Sequence, residues 1–385
     1  MTMKSIYKIL LVVLVAVGAS SIYTSCSKDN SSTGTPTINY VRITRPESSD
    51  SLLVGAGQGQ LIAIMGENLQ NAVAIWFNDQ SAKLTPTYIT NTTILVRVPS
   101  QIPLTVSNKI KIRFKDGFEL LYTFEVQISK PIINSMDCEF VKDGEIATIR
   151  GSYFYAPLTV TFVGGVTGEI ESISPTADMI QVKIPAGALP GQITVTTNFG
   201  ERKSNFFFRD NRNLLITNDP WTGWWGQTNV VSGSDPMAIN GNYTRITQNI
   251  GAWAWTEWIG GKEDALATSH NLPDAAVLNP ADYVLKFEIN TLKPYNGNRI
   301  KIMIGQVNGP DPNWDTEPYF WEAPFDTHGK WQTVSIPFNE VVAHYTTNWG
   351  VRPQGYGVKV WFHGPGTLDA DMAFDNLRVV PKVIP

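Results

Sequence analysis

The sequence predicts an all-β protein made of several antiparallel sandwiches. Three observations support this prediction. Valine, isoleucine, threonine and aromatic residues are abundant, whereas 31 glycines and 24 prolines interrupt the chain at short intervals. Short segments alternate strictly between apolar and polar residues, as in Lys109–Phe114. No amphipathic stretch of helical period and twelve or more residues follows the N-terminal segment.

The N-terminus predicts export. Lys4 and Lys8 precede an apolar run over residues 9–19. This run is about half as long as a membrane-spanning helix requires, so we interpret residues 1–25 as a signal peptide.

Cys26 follows a small residue directly after this segment, and Ser27, Lys28 and Asp29 come next. The arrangement resembles the lipobox and surface-export signal of Bacteroidetes lipoproteins. The resemblance implies lipidation of Cys26 and an outer-membrane, cell-surface location, with residues 26–35 as a flexible tether. The alternative is a cleaved secretory peptide followed by an unrelated cysteine.

Composition excludes several kinds of partner and site. The net charge is −4 without a basic patch, so nucleic acid is not an expected partner. Four histidines and two cysteines predict no zinc site, and we expect no cofactor. Cys138 lies in the strand-like segment 133–141 and is expected to be a small core residue. Asp369, Asp371 and Asp375 could hold calcium, although turn and strand-end roles suit them better.

The first half of the chain contains an internal repeat. Three segments recur in the same order, namely Pro36–Asn39 as Pro131–Asn134, Leu61–Gly66 as Ile146–Gly151, and Ile94–Pro99 as Ile180–Pro185. Units of this length with short alternating strands predict two small sandwiches.

The repeated motifs resemble the immunoglobulin-like IPT/TIG domain, over residues 36–128 and again over 129–212. Members of this family in secreted bacterial proteins commonly act as spacers. The joint before Pro131 is short, and proline restricts both itself and the residue before it, so we expect a stiff connection.

Residues 213–385 differ in composition, because eleven of the twelve tryptophans lie there. A single core does not need so many indoles, and exposed aromatic patches mark binding sites. An indole face stacks on the C–H face of a sugar ring while polar neighbours bond its hydroxyls. We therefore predict a larger, jelly-roll-like carbohydrate-binding sandwich here, and we expect glycan binding to reside in this region.

Alternation assigns candidate roles to individual side chains. Val358, Val360 and Phe362 are expected to face the core, which leaves Lys359, Trp361 and His363 on the opposite face. A second core face covered by a loop is an equally good interpretation of that side. The predicted glycan-binding residues are Trp314, Trp321, Trp349, Trp361, Lys359, His363, Trp224 and Trp225. Trp331 is assigned to packing, and at least one of Trp253, Trp255 and Trp258 is also expected to be core.

The whole layout resembles the surface glycan-binding lipoproteins of Bacteroidetes polysaccharide-utilisation systems, in particular those with a C-terminal xyloglucan-binding-type domain. The resemblance implies a non-catalytic protein that captures a neutral β-linked glycan, with xyloglucan or another β-glucan first and mannan second. It also implies partnership with an outer-membrane TonB-dependent transporter and that transporter's partner lipoprotein.

Two other functions remain open from the sequence. A glycoside hydrolase needs two carboxylates across a cleft, and Glu257, Asp315, Glu317 and Glu322 lie near tryptophans. The compact E-x-D-x-x-E strand motif of jelly-roll hydrolases is absent from the sequence. The third candidate is an adhesin that binds host protein through its immunoglobulin-like domains.

Overall fold

The computed structural model describes residues 34–45, 47, 50–305, 318–345 and 349–382. The chain is 49% strand and 7% helix, which confirms the predicted all-β class. It divides into two compact units, residues 1–127 and 128–385. Cys26 and Trp314 lie outside the described residues. Over the described ranges, no helix combines the length and apolarity needed to cross a membrane.

The first unit is a small sandwich with its own core. Its strands are β1 (Thr37–Ile43), β2 (Gly55–Gly57), β3 (Leu61–Glu67), β4 (Ala72–Phe77), β5 (Gln80–Ala82), β6 (Thr93–Arg97), β7 (Lys109–Phe114), β8 (Glu119–Thr123) and β9 (Glu125–Gln127). Short 3₁₀ turns span Leu69–Asn71 and Pro86–Tyr88. The sheet β1-β3-β6 and the sheet β5-β4-β7-β8 enclose the core, and β2 pairs with β9 in parallel.

The second unit begins with a similar sandwich built on the second sequence repeat. Its strands are β10 (Ile132–Met136), β11 (Ile146–Ser152), β12 (Leu158–Val163), β13 (Val166–Ile173), β14 (Met179–Lys183), β15 (Leu189–Thr197) and β16 (Gly200–Lys203). They form one bent sheet in the order β10-β11-β14-β13-β12-β15-β16. Alternate residues such as Ile149, Phe162 and Val182 fill its core, as their period of two requires.

The remainder of the second unit, hereafter the C-terminal domain, is a larger sandwich. Its strands are β17 (Val230–Val231), β18 (Tyr243–Ile250), β19 (Thr256–Gly261), β20 (Tyr283–Thr291), β21 (Arg299–Gly305), β22 (Tyr319–Glu322), β23 (Gln332–Pro337), β24 (Gly357–Phe362) and β25 (Leu368–Pro381). Its short helices are α1 (Asp274–Leu278) and α2 (Phe338–Val342), with 3₁₀ turns at Gln227–Asn229 and Pro280–Asp282. A five-stranded sheet, β17-β18-β25-β20-β23, packs on a four-stranded sheet, β19-β24-β21-β22.

The second sandwich and the C-terminal domain are joined by buried charges. Arg378 is fully buried and donates to Glu288 (2.8 Å) and to Glu139 of the second sandwich (2.8 Å). Lys286 also donates to Glu139. Burial by itself would lower the pKa of Arg378, but Glu288 and Glu139 raise it, so the guanidinium stays charged. Because these four charges neutralise one another, the two domains must stay in contact to keep them paired.

An apolar contact accompanies these charges. Cys138 and Phe140 pack against Ile239 and the indole of Trp331. Cys138 is a buried free thiol whose pKa is raised by burial, in agreement with its expected place in a core. Trp331 packs as the sequence predicted, although between domains rather than between the sheets of one sandwich.

Candidate functional site

The four-stranded sheet of the C-terminal domain carries the candidate site on its outer face. Val358, Val360 and Phe362 of β24 point into the core, as alternation predicted. Lys359 and Trp361 therefore point outward, and Lys301 of the neighbouring β21 pairs with Trp361 across the ladder. Loops that lead into β19 cover this outward face with additional indoles.

Aromatic and cationic side chains on this face form a continuous series, which we call the tryptophan row. Measured between ring centroids, or from a cationic atom to a centroid, the consecutive contacts are Lys262–Trp224 (3.9 Å), Trp224–Trp225 (5.7 Å), Trp225–Lys359 (4.9 Å), Lys359–Trp361 (3.8 Å), Trp361–Trp255 (4.9 Å), Trp255–His363 (3.7 Å), His363–Trp253 (5.4 Å) and Trp253–Arg299 (5.7 Å). The series is thus unbroken from Trp224 to Trp253.

The row has an exposed layer and a buried layer. Trp224, Trp253 and Trp255 are 50%, 53% and 53% exposed, which is unusual for tryptophan in a folded domain. Beneath them, Trp361 and Lys359 are buried. The buried layer holds the exposed indoles by stacking and cation–π contact, so their solvent faces keep a fixed orientation.

The loop that carries Trp224 and Trp225 is attached to β19 through its backbone. Both residues donate their backbone N–H groups to the carbonyl of Gly260 (2.9 and 3.2 Å). A Cβ at position 260 would lie 2.5 Å from the Trp225 indole nitrogen, so a glycine is required there for the ring to lie against the strand.

Trp253 has an uncommon backbone conformation. Its φ is +58°, in the left-handed region that residues other than glycine rarely adopt. The conformation is held by a hydrogen bond from the Trp253 N–H to the Gly364 carbonyl (2.7 Å). Such conformations concentrate at functional sites, where they present a side chain that a relaxed backbone would direct elsewhere.

The structure brings some of the predicted residues together on this face. Trp224 is exposed, Trp225 and His363 are half-buried, and Lys359 and Trp361 form the buried layer. The two interpretations of the β24 face, a binding surface and a covered second layer, therefore both apply. Lys359 and Trp361 form the covered layer, and the exposed indoles above them form the candidate surface. Trp314 is outside the described residues, and its role stays a prediction.

Trp321 and Trp349 occupy packing positions instead. Trp321 is paired with Ile300 across the ladder, so it points inward, where it stacks on Tyr295 (5.3 Å) and meets Phe287 (5.4 Å). Trp349 stacks on Tyr345 (5.3 Å) and donates to the Val277 carbonyl (3.2 Å). Both indoles are half-buried against the core and lie outside the tryptophan row, and their part in glycan binding stays a prediction.

Sequence reasoning did not select Trp253 and Trp255. At least one of these two and Trp258 was expected to be core, and of the three only Trp258 is fully buried, because β19 begins at Thr256. The spacing of these residues could have indicated their exposure, because Trp253 and Trp255 are two positions apart and Trp258 falls on the opposite side.

The acidic residues considered for calcium have separate partners. Asp371 forms a bidentate pair with Arg245 (2.8 and 2.9 Å), whereas Asp369 binds Lys293 (2.7 Å). Over the ranges that the structure describes, no group of three or more His, Cys, Asp or Glu side chains is placed to hold a metal ion.

A row of exposed indoles on one sheet offers flat apolar faces of the kind that stack on sugar rings, and two family models match this chain. Residues 208–381 match the family model of the surface glycan-binding protein B xyloglucan-binding domain, and residues 52–126 match that of the IPT/TIG domain. These matches confirm the predicted resemblance to surface glycan-binding proteins that combine the two kinds of domain.

Two solved structures are similar to this chain in fold, and one further protein is similar to it in sequence. The surface glycan-binding protein PbSGBP-B from Prevotella bryantii aligns with a TM-score of 0.64 at 23% identity, over 91% of this chain and 99% of its own. An SGBP-B from a complex xyloglucan utilization locus in Bacteroides uniformis aligns with a TM-score of 0.50 at 20% identity, over 90% and 100%. An IPT/TIG domain-containing protein of Bacteroides ovatus is 31% identical over 163 residues, or 40% of this chain. The matched part is about a third (33%) of that relative's length.

Proposed function

We propose that this protein captures a neutral, β-linked polysaccharide at the bacterial cell surface and does not cleave it. The observation that carries the proposal is the tryptophan row, with three half-exposed indoles held in place by a buried layer of aromatic and cationic groups. An extended β-linked chain presents successive flat C–H faces, which suits several indoles along one line.

Two buried cations on this face support a neutral ligand. Lys359 and Lys301 are buried against indoles, with Lys359 3.8 Å from Trp361 and Lys301 4.9 Å from Trp255. Their charges are therefore directed at ring faces rather than at solvent. Glucans of the xyloglucan type are the first choice of ligand, and mannan is the second. The name of the matched domain family supports the first choice.

Binding without hydrolysis fits the surroundings of the row. Glu322, one of the carboxylates considered for catalysis, lies 3.8 Å from Arg299 in an exposed ion pair. The Prevotella bryantii structure is described as a surface glycan-binding protein, which supports the same view.

We further propose that Cys26 carries a lipid that anchors the protein in the outer membrane. The two immunoglobulin-like sandwiches would then act as spacers that hold the row away from the membrane. A TonB-dependent transporter and its partner lipoprotein are the proposed recipients of the captured glycan.

The test is native-gel retardation of the purified protein in a panel of neutral and acidic polysaccharides, with a parallel assay for released reducing ends. We expect retardation by β-glucans, little dependence on salt, and no new reducing ends. Release of reducing ends would favour the hydrolase, and retardation by none of the polysaccharides would favour the adhesin.

A further inference from the structure

A cleft lies between the second sandwich and the C-terminal domain, on the side of the five-stranded sheet. Its volume is about 590 Å³, within the range of roughly 300–1,000 Å³ typical of small-molecule sites, which often form at domain interfaces. One wall comes from β11 and β14, with Ile146 and Gln181. The other comes from the C-terminal domain, with Met237, Trp331 and Gln332.

The walls of the cleft are fixed relative to each other. Thr333 of β23 donates its backbone N–H to the Asp137 carbonyl (2.8 Å), and its hydroxyl accepts from the backbone N–H of Glu139 (2.7 Å). The buried pair between Arg378 and Glu139 lies at the same junction. A ligand therefore meets a preformed site and does not have to order it.

An unpaired polar atom points to a ligand. Asn290 lines the cleft and is 1% exposed, and its amide nitrogen donates to the Gly329 carbonyl (2.9 Å). Its Oδ1 is buried and has no hydrogen-bond partner among the residues that the structure describes. A buried acceptor without a partner is destabilising, and a hydroxyl donor in the cleft would remove that cost.

The lining indicates the chemical class of that ligand. Ile146 and Met237 are 54% and 56% exposed, so apolar surface faces solvent beside the indole of Trp331. Amides and carboxylates accompany it, including Gln181, Gln332 and Asp235. An indole, aliphatic contacts and hydroxyl-binding groups together match a sugar ring, and the carboxylates disfavour a polyanion.

We propose that this cleft is a second carbohydrate site, which takes one or two units or a side branch of the same neutral glycan. The inference rests on the proposed function, because the glycan is the ligand that both sites share. The tryptophan row lies on the opposite sheet of the sandwich, so a short oligosaccharide occupies one site at a time. A long polysaccharide can engage both, with a gain in avidity.

The test measures binding of a xyloglucan oligosaccharide to the full-length protein. Titration calorimetry and the fluorescence of the remaining tryptophans both report that binding. The triple variant Trp224→Ala, Trp253→Ala, Trp255→Ala should bind at least tenfold more weakly but should still bind. Adding Ile146→Glu and Met237→Glu should abolish the residual binding, because two charges then line the apolar wall. Both residues are more than half exposed, so folding should be preserved.

Leu189→Glu in the triple variant is the matched control, since Leu189 is 52% exposed on the second sandwich and outside the cleft. It should leave the residual binding unchanged. Loss of all binding in the triple variant alone, or residual binding that survives the two glutamates, overturns the second site. Absence of binding by the unaltered protein refutes the proposed function itself.

Discussion

The imidazole of His363 lies parallel to the indole of Trp255, with ring centroids 3.7 Å apart and 19° between the planes. The same indole meets Trp361 edge to face at 4.9 Å, and the Lys301 ammonium lies 4.9 Å from its centroid. About half of the Trp255 surface nevertheless stays exposed. Because neighbouring groups already fix the ring, a sugar that stacks on it loses little side-chain entropy from the protein.

The first prediction concerns this stacked pair. His363→Ala should weaken glycan binding roughly two- to tenfold, since an aromatic pair contributes about 0.5–1.5 kcal/mol beyond its buried area. His363→Phe keeps a flat ring beneath Trp255 and should retain most of the affinity. Titration calorimetry on both variants measures the difference. Equal weakening by alanine and phenylalanine would show that His363 contacts the ligand and does not merely support the indole.

The second prediction separates binding indoles from packing indoles. At least one of Trp224→Ala, Trp253→Ala and Trp255→Ala should weaken binding about thirtyfold, because a central aromatic contact typically costs 2 kcal/mol or more when truncated. The melting temperature should barely change, since these side chains are half exposed. Calorimetry and melting curves on the same protein samples provide both measurements.

Trp258 and Trp321 serve as the controls for this prediction. Trp258 is fully buried between Phe362 and Phe374, and Trp321 packs against Tyr295. Replacing either by alanine should lower the free energy of unfolding by about 3–5 kcal/mol. Normal stability of Trp321→Ala together with lost binding would return that indole to the binding surface.

The sequence predicts those features of the fold that depend only on the alternation of side chains within one strand. The alternation of β24 correctly assigned Val358 and Phe362 to the core, because side chains in a strand face opposite sides of the sheet. Trp321 was harder to place, since its inward direction depends on the pairing of β22 with Ile300, 21 positions earlier in the chain. A single segment does not contain that information.

The buried charges were not predicted either, because their pairing also joins distant parts of the chain. Glu139 and Arg378 are 239 positions apart, and each would be an ordinary surface residue in an isolated strand. The exposure of Trp253 depends on a left-handed backbone held by Gly364, which composition does not indicate. Tryptophan abundance located the candidate site within the C-terminal domain, but only tertiary contacts distinguish its exposed layer.

The third prediction concerns the buried charges between domains. Glu139→Ala leaves Arg378 buried without one of its two carboxylates, so unfolding free energy should fall by about 3–5 kcal/mol. Asp369→Ala is the control, because its ion pair with Lys293 is exposed and should contribute about 0–1 kcal/mol. Urea denaturation of both variants measures the effect.

The buried charges between the domains also determine which fragment of the protein is stable enough to carry the tryptophan row. Residues 213–385 lack Glu139 and the apolar contacts of Cys138 and Phe140, so we expect them to be less stable than residues 129–385. Both fragments should carry the binding activity of the tryptophan row when folded. Equal stability of the two fragments would contradict the structural role assigned to the junction.

The fourth prediction concerns the proposed anchor. Cys26→Ala should leave the protein unlipidated and release it from the outer membrane, which cell fractionation and metabolic labelling with a fatty acid would detect. Cys138→Ala is the matched control, because Cys138 is a buried thiol and should not affect anchoring. Retention of the Cys26→Ala variant in the membrane as firmly as the unaltered protein would exclude the lipoprotein interpretation.

The fifth prediction concerns a buried carboxyl that helps to attach the loop leading to Trp224. Asp375 is 4% exposed, and its Oδ1 accepts from Asn218 (2.9 Å) and from the Asn376 N–H (2.9 Å). Asp375 Oδ2 and Asn218 Oδ1 are both buried without a partner among the described residues. Burial raises the pKa of Asp375 well above its usual value, and Glu288 and Asp219 raise it further.

Burial penalises the ionised carboxylate, and no described group donates to Oδ2, so the folded state favours the neutral acid. A pKa raised on folding gives a contribution to stability that is complete below the unfolded pKa of about 3.9. It is then lost as the pH rises towards and through the higher folded pKa. In Asp375→Asn, an amide replaces the neutral acid and offers the same donor at every pH. Urea unfolding measured from about pH 4 upward should therefore show a decline for the unaltered protein that is smaller for Asp375→Asn. Parallel pH profiles for the two proteins would mean that Asp375 is ionised in the folded state and that another group balances its charge.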